Sequence, residues 1–238
     1  MKQKKHCFTL IEMLAVAAIA SVLIALITPA FQKMLFGSRV DQCAANLKLA
    51  MEQAQSKAVA SRKYVALILP GDRNSASESL KNFCKSGYRL AYVKKDGNDF
   101  HFASWLPGSS WKNPNDGAML VKIDDIAPDA APTAPEVSAK FLKLSDLKSG
   151  GSVAGSAGDG SDDVKGDADI DALGSMENCA LIFSPYGGMV NNDAALYFIF
   201  TESKVEGDEY VLDNPDNYLV LKLNAITGRV TYFDPYAG

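Results

Sequence analysis

The most constraining feature of this 238-residue chain is an apolar stretch that directly follows a short basic head. The head reads MKQKKHC, with Lys2, Lys4 and Lys5, and residues 13–27 contain no charged side chain. Together with apolar residues on either side, the stretch reaches roughly 20 residues, enough for an α-helix to cross a bilayer. The lysines predict a cytoplasmic N-terminus and an extracytoplasmic remainder.

Two other N-terminal signals fit this segment poorly. A secretory signal peptide has a shorter apolar stretch that ends at a small-x-small site. Ala18 and Ala20 give that pattern, but apolar residues 22–27 follow it, so the site would lie inside the membrane. A lipoprotein signal places its apolar stretch before the cysteine, whereas Cys7 precedes the stretch here. The order of residues therefore favours a membrane anchor.

Glu12 is the one charged residue between Lys5 and Lys33. A carboxylate within an apolar span is costly and usually has a partner or a function. The alternative is that Glu12 lies near the end of the span, where its side chain reaches the headgroups. The residues around Glu12 favour the first interpretation.

The motif CFTLIEM, residues 7–13, closely resembles the processing site of type IV prepilins and type II secretion pseudopilins. The resemblance implies that prepilin peptidase, a membrane protein, cuts between Cys7 and Phe8 and then methylates the new amine of Phe8. It also implies that Glu12 is the carboxylate used in assembly with other pilin or pseudopilin subunits at an inner-membrane assembly platform. The family usually has glycine where this chain has Cys7, and cysteine is also small.

Electrostatics predicts an ion pair between the two ends of this motif in neighbouring subunits. Cleavage removes the lysine head and exposes an ammonium group at Phe8, four residues before Glu12. In a packed helical array, Glu12 of one subunit can neutralise the ammonium of a neighbour inside a low-dielectric core, where an unpaired charge is strongly disfavoured. Such pairing would set the axial register of a fibre.

The apolar pattern predicts one long N-terminal helix, broken or bent near Pro29 and Gly37. Residues 1–7 are the predicted leader, residues 8–36 the membrane-spanning part and residues 37–63 an amphipathic continuation. Apolar residues of the continuation recur at spacings of four and three, which predicts one stripe packed on the chain's own globular domain. The stripe consists of Val40, Ala44, Leu47, Met51, Ala54 and Ala58.

Residues 64–238 are predicted to form a β-rich extracytoplasmic head. Short apolar runs separated by turn sequences leave no room for crossover helices, so the sheets should be antiparallel. The predicted strands are residues 64–69, 88–93, 100–105, 118–123, 179–184, 194–201, 218–223 and 229–233. The predicted fold class is α+β, with a long N-terminal helix, membrane-spanning in its first half, packed on an antiparallel β-sheet pilin-like head.

Three short motifs resemble those of GspH/FimT-type pseudopilins. They are the passage from helix to first strand in residues 46–65, LIFSPYGG in residues 181–188 and LNAITGRV in residues 223–230. The resemblance implies a strand followed by a glycine turn and a closing hairpin.

Residues 145–177 are predicted to form a flexible insertion in the head. They are mostly Gly, Ser, Ala and Asp, and so lack the apolar residues that would offset the cost of ordering. Asp167, Asp169 and Asp171 supply half of an EF-hand calcium loop, but Ala172 replaces its glycine. No metal and no other cofactor is predicted.

Three cysteines remain after cleavage, in a setting that permits disulfides. Three thiols cannot all pair within one chain. Cys43 lies on the helix near the membrane, so Cys84 and Cys179 form the candidate disulfide. The alternative is that all three are small buried apolar residues.

The sequence predicts a structural protein and not an enzyme. His101 lies in an alternating strand pattern, and Ser184 lacks the Gly-x-Ser-x-Gly elbow. A net charge of −4 gives no reason to expect nucleic acid as a partner. The predicted location is the inner membrane, single-pass, with the N-terminus cytoplasmic and the head periplasmic. The predicted function is a minor pseudopilin of a type II secretion system, with two alternatives: a minor pilin of a type IV pilus, or an anchored β-domain that binds a surface ligand without polymerising.

Overall fold

The computed structural model describes residues 10–70, 80–97, 99–112, 117–133, 147–149, 179–190, 194–207 and 209–235. The chain divides into two compact units, Met1–Ser38 and Arg39–Gly238. Helix α1 is Leu10–Ser61. Pro29 and Gly37 lie inside this helix, so the helix is not broken at either residue. A bend at either residue stays a prediction.

Nine strands and one short 3-10 helix, Lys81–Phe83, follow α1 within the described residues. The strands are β1 Tyr64–Leu69, β2 Arg89–Asp96, β3 Asp99–Trp105, β4 Ala118–Asp124, β5 Leu147–Ser149, β6 Cys179–Phe183, β7 Leu196–Glu206, β8 Glu209–Leu223 and β9 Val230–Phe233. They form a five-stranded sheet in the order β5-β3-β2-β1-β6 and a four-stranded sheet in the order β4-β7-β8-β9.

Every strand predicted from the sequence is present, and the pairing is antiparallel with one exception. Strand β5 pairs with β3 in parallel, through Leu147 opposite Phe100. It lies inside the predicted insertion, of which residues 150–177 are outside the described part of the chain.

Strand β8 is much longer than predicted, because its first half has the composition of a turn. Residues 209–217 include Asp, Asn and Pro, which are depleted in strands. The chain accommodates them with register shifts on either side of Glu202 in β7. The Thr201 hydroxyl lies 2.9 Å from the Asn214 carbonyl, and the Asn217 side-chain amide donates to Glu202. These contacts replace ladder hydrogen bonds that the irregular stretch lacks.

The second part of α1 packs on both sheets, as the apolar stripe predicted. Every residue of that stripe is buried, and Cys43 and Ala50 are buried beside it. Leu67 of β1, Phe198 of β7 and Leu221 of β8 belong to the same core. The chain is therefore α+β, with an N-terminal helix packed on largely antiparallel sheets.

Strands β1 and β7 read as continuous apolar runs because both of their faces are buried. In β1, Val65 and Leu67 face the core that contains α1, whereas Ala66 and Ile68 belong to a second cluster with Phe102. In β7 the alternation is the same, and its other face joins a third cluster. A one-residue slip in either strand would exchange two apolar faces.

The helix ends in a Schellman motif built around Arg62. The Lys63 N–H donates to the Ala58 carbonyl and the Arg62 N–H to the Val59 carbonyl, at 3.3 and 3.4 Å. Arg62 has φ of 54°, in the left-handed region that glycine usually occupies at this position. This turn directs the chain into β1 two residues later.

Cys43 is buried between α1 and the sheets, and its burial raises the pKa of the thiol from 9.0 to about 12. Below pH 9 the thiol is protonated in both the folded and the unfolded chain. Between pH 9 and pH 12 the unfolded chain loses this proton while the folded chain keeps it. The free energy of unfolding should therefore decrease as pH rises through this window.

We predict that Cys43→Ala removes this contribution, which amounts to about 1.4 kcal/mol per pH unit. The measurement is denaturant unfolding of the full chain in detergent at several pH values from 8 upwards, for both proteins. Burial and the charge of Cys43 both raise the pKa of Tyr88, so the difference between the two profiles reports Cys43 together with its coupling to Tyr88. Parallel profiles above pH 9 would contradict the assignment.

Candidate processing and assembly site

The predicted processing site lies at the start of α1. Residues 1–9, which include Cys7 and Phe8, are outside the described part of the chain. Glu12 is described and lies in the first turn of α1.

Large apolar side chains cover all faces of α1 beyond this turn. Every residue from 10 to 25 is exposed, and Leu10 and Ile11 are 80% and 76% exposed. The one hydroxyl in this stretch, that of Ser21, donates to the Ala18 carbonyl at 2.8 Å. A helix that is apolar all round requires a cover of lipid or of other helices.

Within the residues whose side chains are described, no helical stretch is both long and apolar enough to count as a membrane span.

Residues 3–28 match the model of the prokaryotic N-terminal methylation motif. The N-terminal segment of the chain is therefore type IV pilin-like. The matched segment contains the predicted cleavage site between Cys7 and Phe8, the predicted methylation site at Phe8, and Glu12. The motif implies processing by prepilin peptidase and assembly with other pilins.

One solved structure similar to this chain is the type IV minor pilin FimU of Pseudomonas aeruginosa. The identity is 13% and the TM-score 0.41, over 83% of this chain and 90% of that one. No curated protein matches the chain.

The β-rich head carries two turns that the motifs of the sequence analysis predicted, and both lie against α1. The glycine turn, residues 184–188, follows β6, and the closing turn, residues 224–229, joins β8 to β9. The Gln55 side-chain amide donates to the Gly187 carbonyl at 2.8 Å and to the Thr227 carbonyl at 2.6 Å. One helix side chain therefore fastens both turns.

Glycines are required where these turns meet. Gly228 has φ of 66°, and a Cβ there would overlap the Gly187 carbonyl and the Gln55 amide. A Cβ at Gly188 would lie 2.5 Å from the Ile226 carbonyl oxygen. The glycines of the two motifs thus permit close approach of two backbones.

The sequence predicted the turns but missed Gln55. In the sequence Gln55 is one of several polar residues on the exposed side of the helix. Only the backbone positions of two distant turns show why a side-chain amide, a donor of two hydrogen bonds, is needed there.

Ser184 and His101, which the sequence analysis set aside as catalytic residues, lie in the glycine turn and in β3. The Ser184 hydroxyl, only 7% exposed, accepts a hydrogen bond from the Tyr186 N–H at 3.2 Å and so helps to form the glycine turn. His101 pairs through its backbone with Lys94 of β2 and Lys148 of β5. Among the described residues, no three His, Cys, Asp or Glu side chains lie together as metal ligands would. Asp167, Asp169 and Asp171 are outside those residues.

The backbone brings the two cysteines of the candidate disulfide to the same end of β1. Cys179 lies opposite Leu69, and the Lys85 N–H, next to Cys84, donates to the Pro70 carbonyl at 2.8 Å. Cys84 is buried, and its thiol donates to the Leu80 carbonyl at 3.6 Å. The Cys179 side chain is outside the described residues, so the Cys84–Cys179 bridge stays a prediction.

We predict that Gln55→Ala lowers the free energy of unfolding by about 1–3 kcal/mol, because two carbonyls lose their donor. Gln53→Ala is the matched control, since Gln53 is an exposed glutamine of the same helix. Gly228→Ala should destabilise the head as well, because it adds strain at positive φ to the overlap with Gln55. Unfolding curves that are the same for Gln55→Ala and Gln53→Ala would contradict this account.

Peptide mapping without reductant tests the predicted disulfide. Chain isolated from an oxidising compartment should yield a peptide pair joined through Cys84 and Cys179, while Cys43 is alkylated only after unfolding. If Cys84 and Cys179 were both alkylated after unfolding without reductant, the alternative of small buried apolar residues would hold.

Proposed function

We propose that this chain is a minor pseudopilin of a type II secretion system. Its precursor is anchored in the inner membrane, cut by prepilin peptidase between Cys7 and Phe8, methylated at Phe8 and assembled into a periplasmic pseudopilus. The observation that carries the proposal is the match of residues 3–28 to the N-terminal methylation motif.

The first part of α1 supports the anchoring step. Its exposed apolar side chains on every face need a cover, which lipid provides before assembly and neighbouring helices provide afterwards. The basic leader, with Lys4 and Lys5, favours a cytoplasmic N-terminus. The β-rich head then lies in the periplasm.

Glu12 supports the assembly step. The cut at Phe8 creates an ammonium group four residues before this carboxylate. An ammonium group close to the N-terminal end of a helix is disfavoured by the helix dipole. Pairing with Glu12 of a neighbouring subunit relieves this cost for both groups, and it requires the two helices to be staggered by about one turn.

Polar groups of the head and of the helix packed on it support a structural rather than a catalytic role. Ser184, Gln55 and Thr201 use their side chains to hold turns and irregular strand backbone in place. The proposed partners are prepilin peptidase, other pseudopilin subunits and the inner-membrane assembly platform, all reached through the N-terminal segment.

The same residues are compatible with two other functions, which processing at Phe8 and the flanking genes separate from the proposed one. A minor pilin of a type IV pilus would be processed in the same way but would enter a retractable surface fibre. An anchored β-domain that binds a surface ligand would not be processed at Phe8 and would not polymerise. The genes that flank this one separate the first two, because a secretin with secretion partners favours the pseudopilus and a retraction ATPase favours the pilus.

We predict that Glu12→Ala leaves membrane insertion intact and lowers the amount of chain in the sheared fibre fraction by about ten-fold or more. Breaking a buried charge pair costs enough to produce such a loss. Glu52→Ala is the matched control, because Glu52 is an exposed glutamate of α1 that pairs with Lys48 at 3.2 Å. Equal recovery of both variants in the fibre fraction would remove the role assigned to Glu12.

A further inference from the structure

Strand β8 has an open side along most of its length. Strand β9 pairs with residues 220–223 only, and no strand among the described residues pairs with residues 209–219 on that side. Glu209, Asp213 and Asp216 are exposed along this stretch. An open strand offers unpaired backbone N–H and C=O groups to any other extended chain, so it invites association.

The outer sides of other strands are short or covered. Strands β5 and β9 are three and four residues long. Beside β6, the Val190 N–H donates to the Ile182 carbonyl at 3.0 Å, and beside β4 the Lys85 carbonyl accepts from the Leu120 N–H at 2.7 Å. Of the described strands, β8 therefore has the longest uncovered side.

An irregular stretch interrupts this uncovered side. Glu202 of β7 is opposite Asn214, whereas its neighbour Thr201 is opposite Tyr218. Residues 215–217 are therefore extra residues in β8, and they bend the strand away from a regular ladder. We call residues 213–217 the β8 bulge.

The backbone of the β8 bulge is unsuited to pairing with another strand. Pro215 has no N–H to donate. The Asn214 and Asn217 carbonyls lie 2.9 and 3.1 Å from the Thr201 hydroxyl, so they are turned towards β7 and not towards the open side. An incoming strand would lose its ladder hydrogen bonds along this stretch.

The β8 bulge divides the open side into two short pieces. Residues 209–212 pair regularly with β7 before the bulge, and Tyr218 and Leu219 pair regularly after it. Between these pieces an incoming strand would meet the ion pair of Lys204 with Asp213, at 3.3 Å, and the exposed Asp216. Neither piece is long enough to hold an added strand, since even a complete two-stranded hairpin is marginally stable in water.

The composition of β7 is adapted to the β8 bulge. Thr201 and Glu202 are only 0% and 6% exposed. Burial of such polar side chains is costly unless they are hydrogen-bonded, and their partners are the Asn214 and Asn217 carbonyls and the Asn217 side-chain amide. The bulge is therefore a built part of the sheet.

We propose that the β8 bulge prevents the heads of neighbouring copies of this chain from pairing through their open β8 strands. Copies that a membrane or a fibre holds together meet at a high effective concentration, at which a regular open strand would recruit another. Association is then left to the N-terminal helix. The crowding of copies rests on the proposed function, whereas the block to pairing is a property of the head.

A continuous open strand tests the proposal. Asp213→Val, Pro215→Val and Asp216→Val together restore one N–H and remove two charges. Under detergent conditions where the unchanged full chain sediments as one copy per micelle, the fraction of dimers and larger species should rise about ten-fold or more, because several backbone hydrogen bonds form at once. Hydrogen exchange of residues 209–219 should slow as the concentration of this variant is raised.

Asp125→Val, Pro128→Val and Asp129→Val together are the matched control. They make the same three replacements in the segment that follows β4, outside any described strand, and both aspartates are exposed. The two variants therefore gain the same apolar surface, and only the first gains a regular open strand. Equal association of the two, or none in either, would overturn the proposal.

Pro215→Thr alone decides the question if the triple variant does not fold. It restores the N–H and keeps both carboxylates, and hydrogen-exchange protection of the β8–β9 hairpin, residues 220–223 and 230–233, reports that the head is folded. Residues 209–212 and 218–219 should then exchange more slowly at high protein concentration. A folded Pro215→Thr chain whose exchange is independent of concentration would contradict the proposal.

These measurements do not require the cut at Phe8, so the proposal and the proposed function fail separately. If the natural chain begins at Phe8 but the variants do not associate, the role of the β8 bulge is refuted and the pseudopilin assignment stands. If the natural chain keeps its leader but the variants associate through β8, that role stands and the pseudopilin assignment fails.

Discussion

The packing of one helix stripe against two sheets holds the head of this protein together. The stripe of α1 is rich in small residues, and Ala44, Ala54 and Ala58 are fully buried, which allows the strands to approach the helix closely. Leu47 and Met51 fill the space between them, and burial of such a side chain contributes about 1.5–3 kcal/mol. The glycine turn, the closing turn and their link to Gln55 all depend on this packing, because Gln55 lies next to the stripe.

The same helix changes its apolar pattern along its length, and this change connects the fold with the proposed function. In residues 10–25 apolar side chains are exposed on all faces, whereas from Val40 to Ala58 they form one buried stripe. The first pattern requires lipid or other helices around it, and the second requires a single partner surface. Glu12 is the exception in the first pattern, and a positive charge near its carboxylate would stabilise it in an apolar surrounding.

The sequence predicted most of the fold, because its strongest signals were periodic. The stripe from Val40 to Ala58 and the positions of the strands follow from periods that local geometry imposes. The first half of β8 was missed because Pro215 and its polar neighbours have the composition of a turn, while cross-strand contacts of Thr201 and Glu202 stabilise the strand there. Gln55 could not have been selected from the sequence, since its importance depends on which turns the core brings together.

We infer that a peptidase converts this chain from a membrane anchor into a fibre subunit by exposing the amine of Phe8. The most direct test is a mass measurement of the mature N-terminal peptide from a host that carries prepilin peptidase. We expect a chain that begins at Phe8 and carries one methyl group on its amine. A mature chain that retains Met1, or that begins at any other residue, would contradict it.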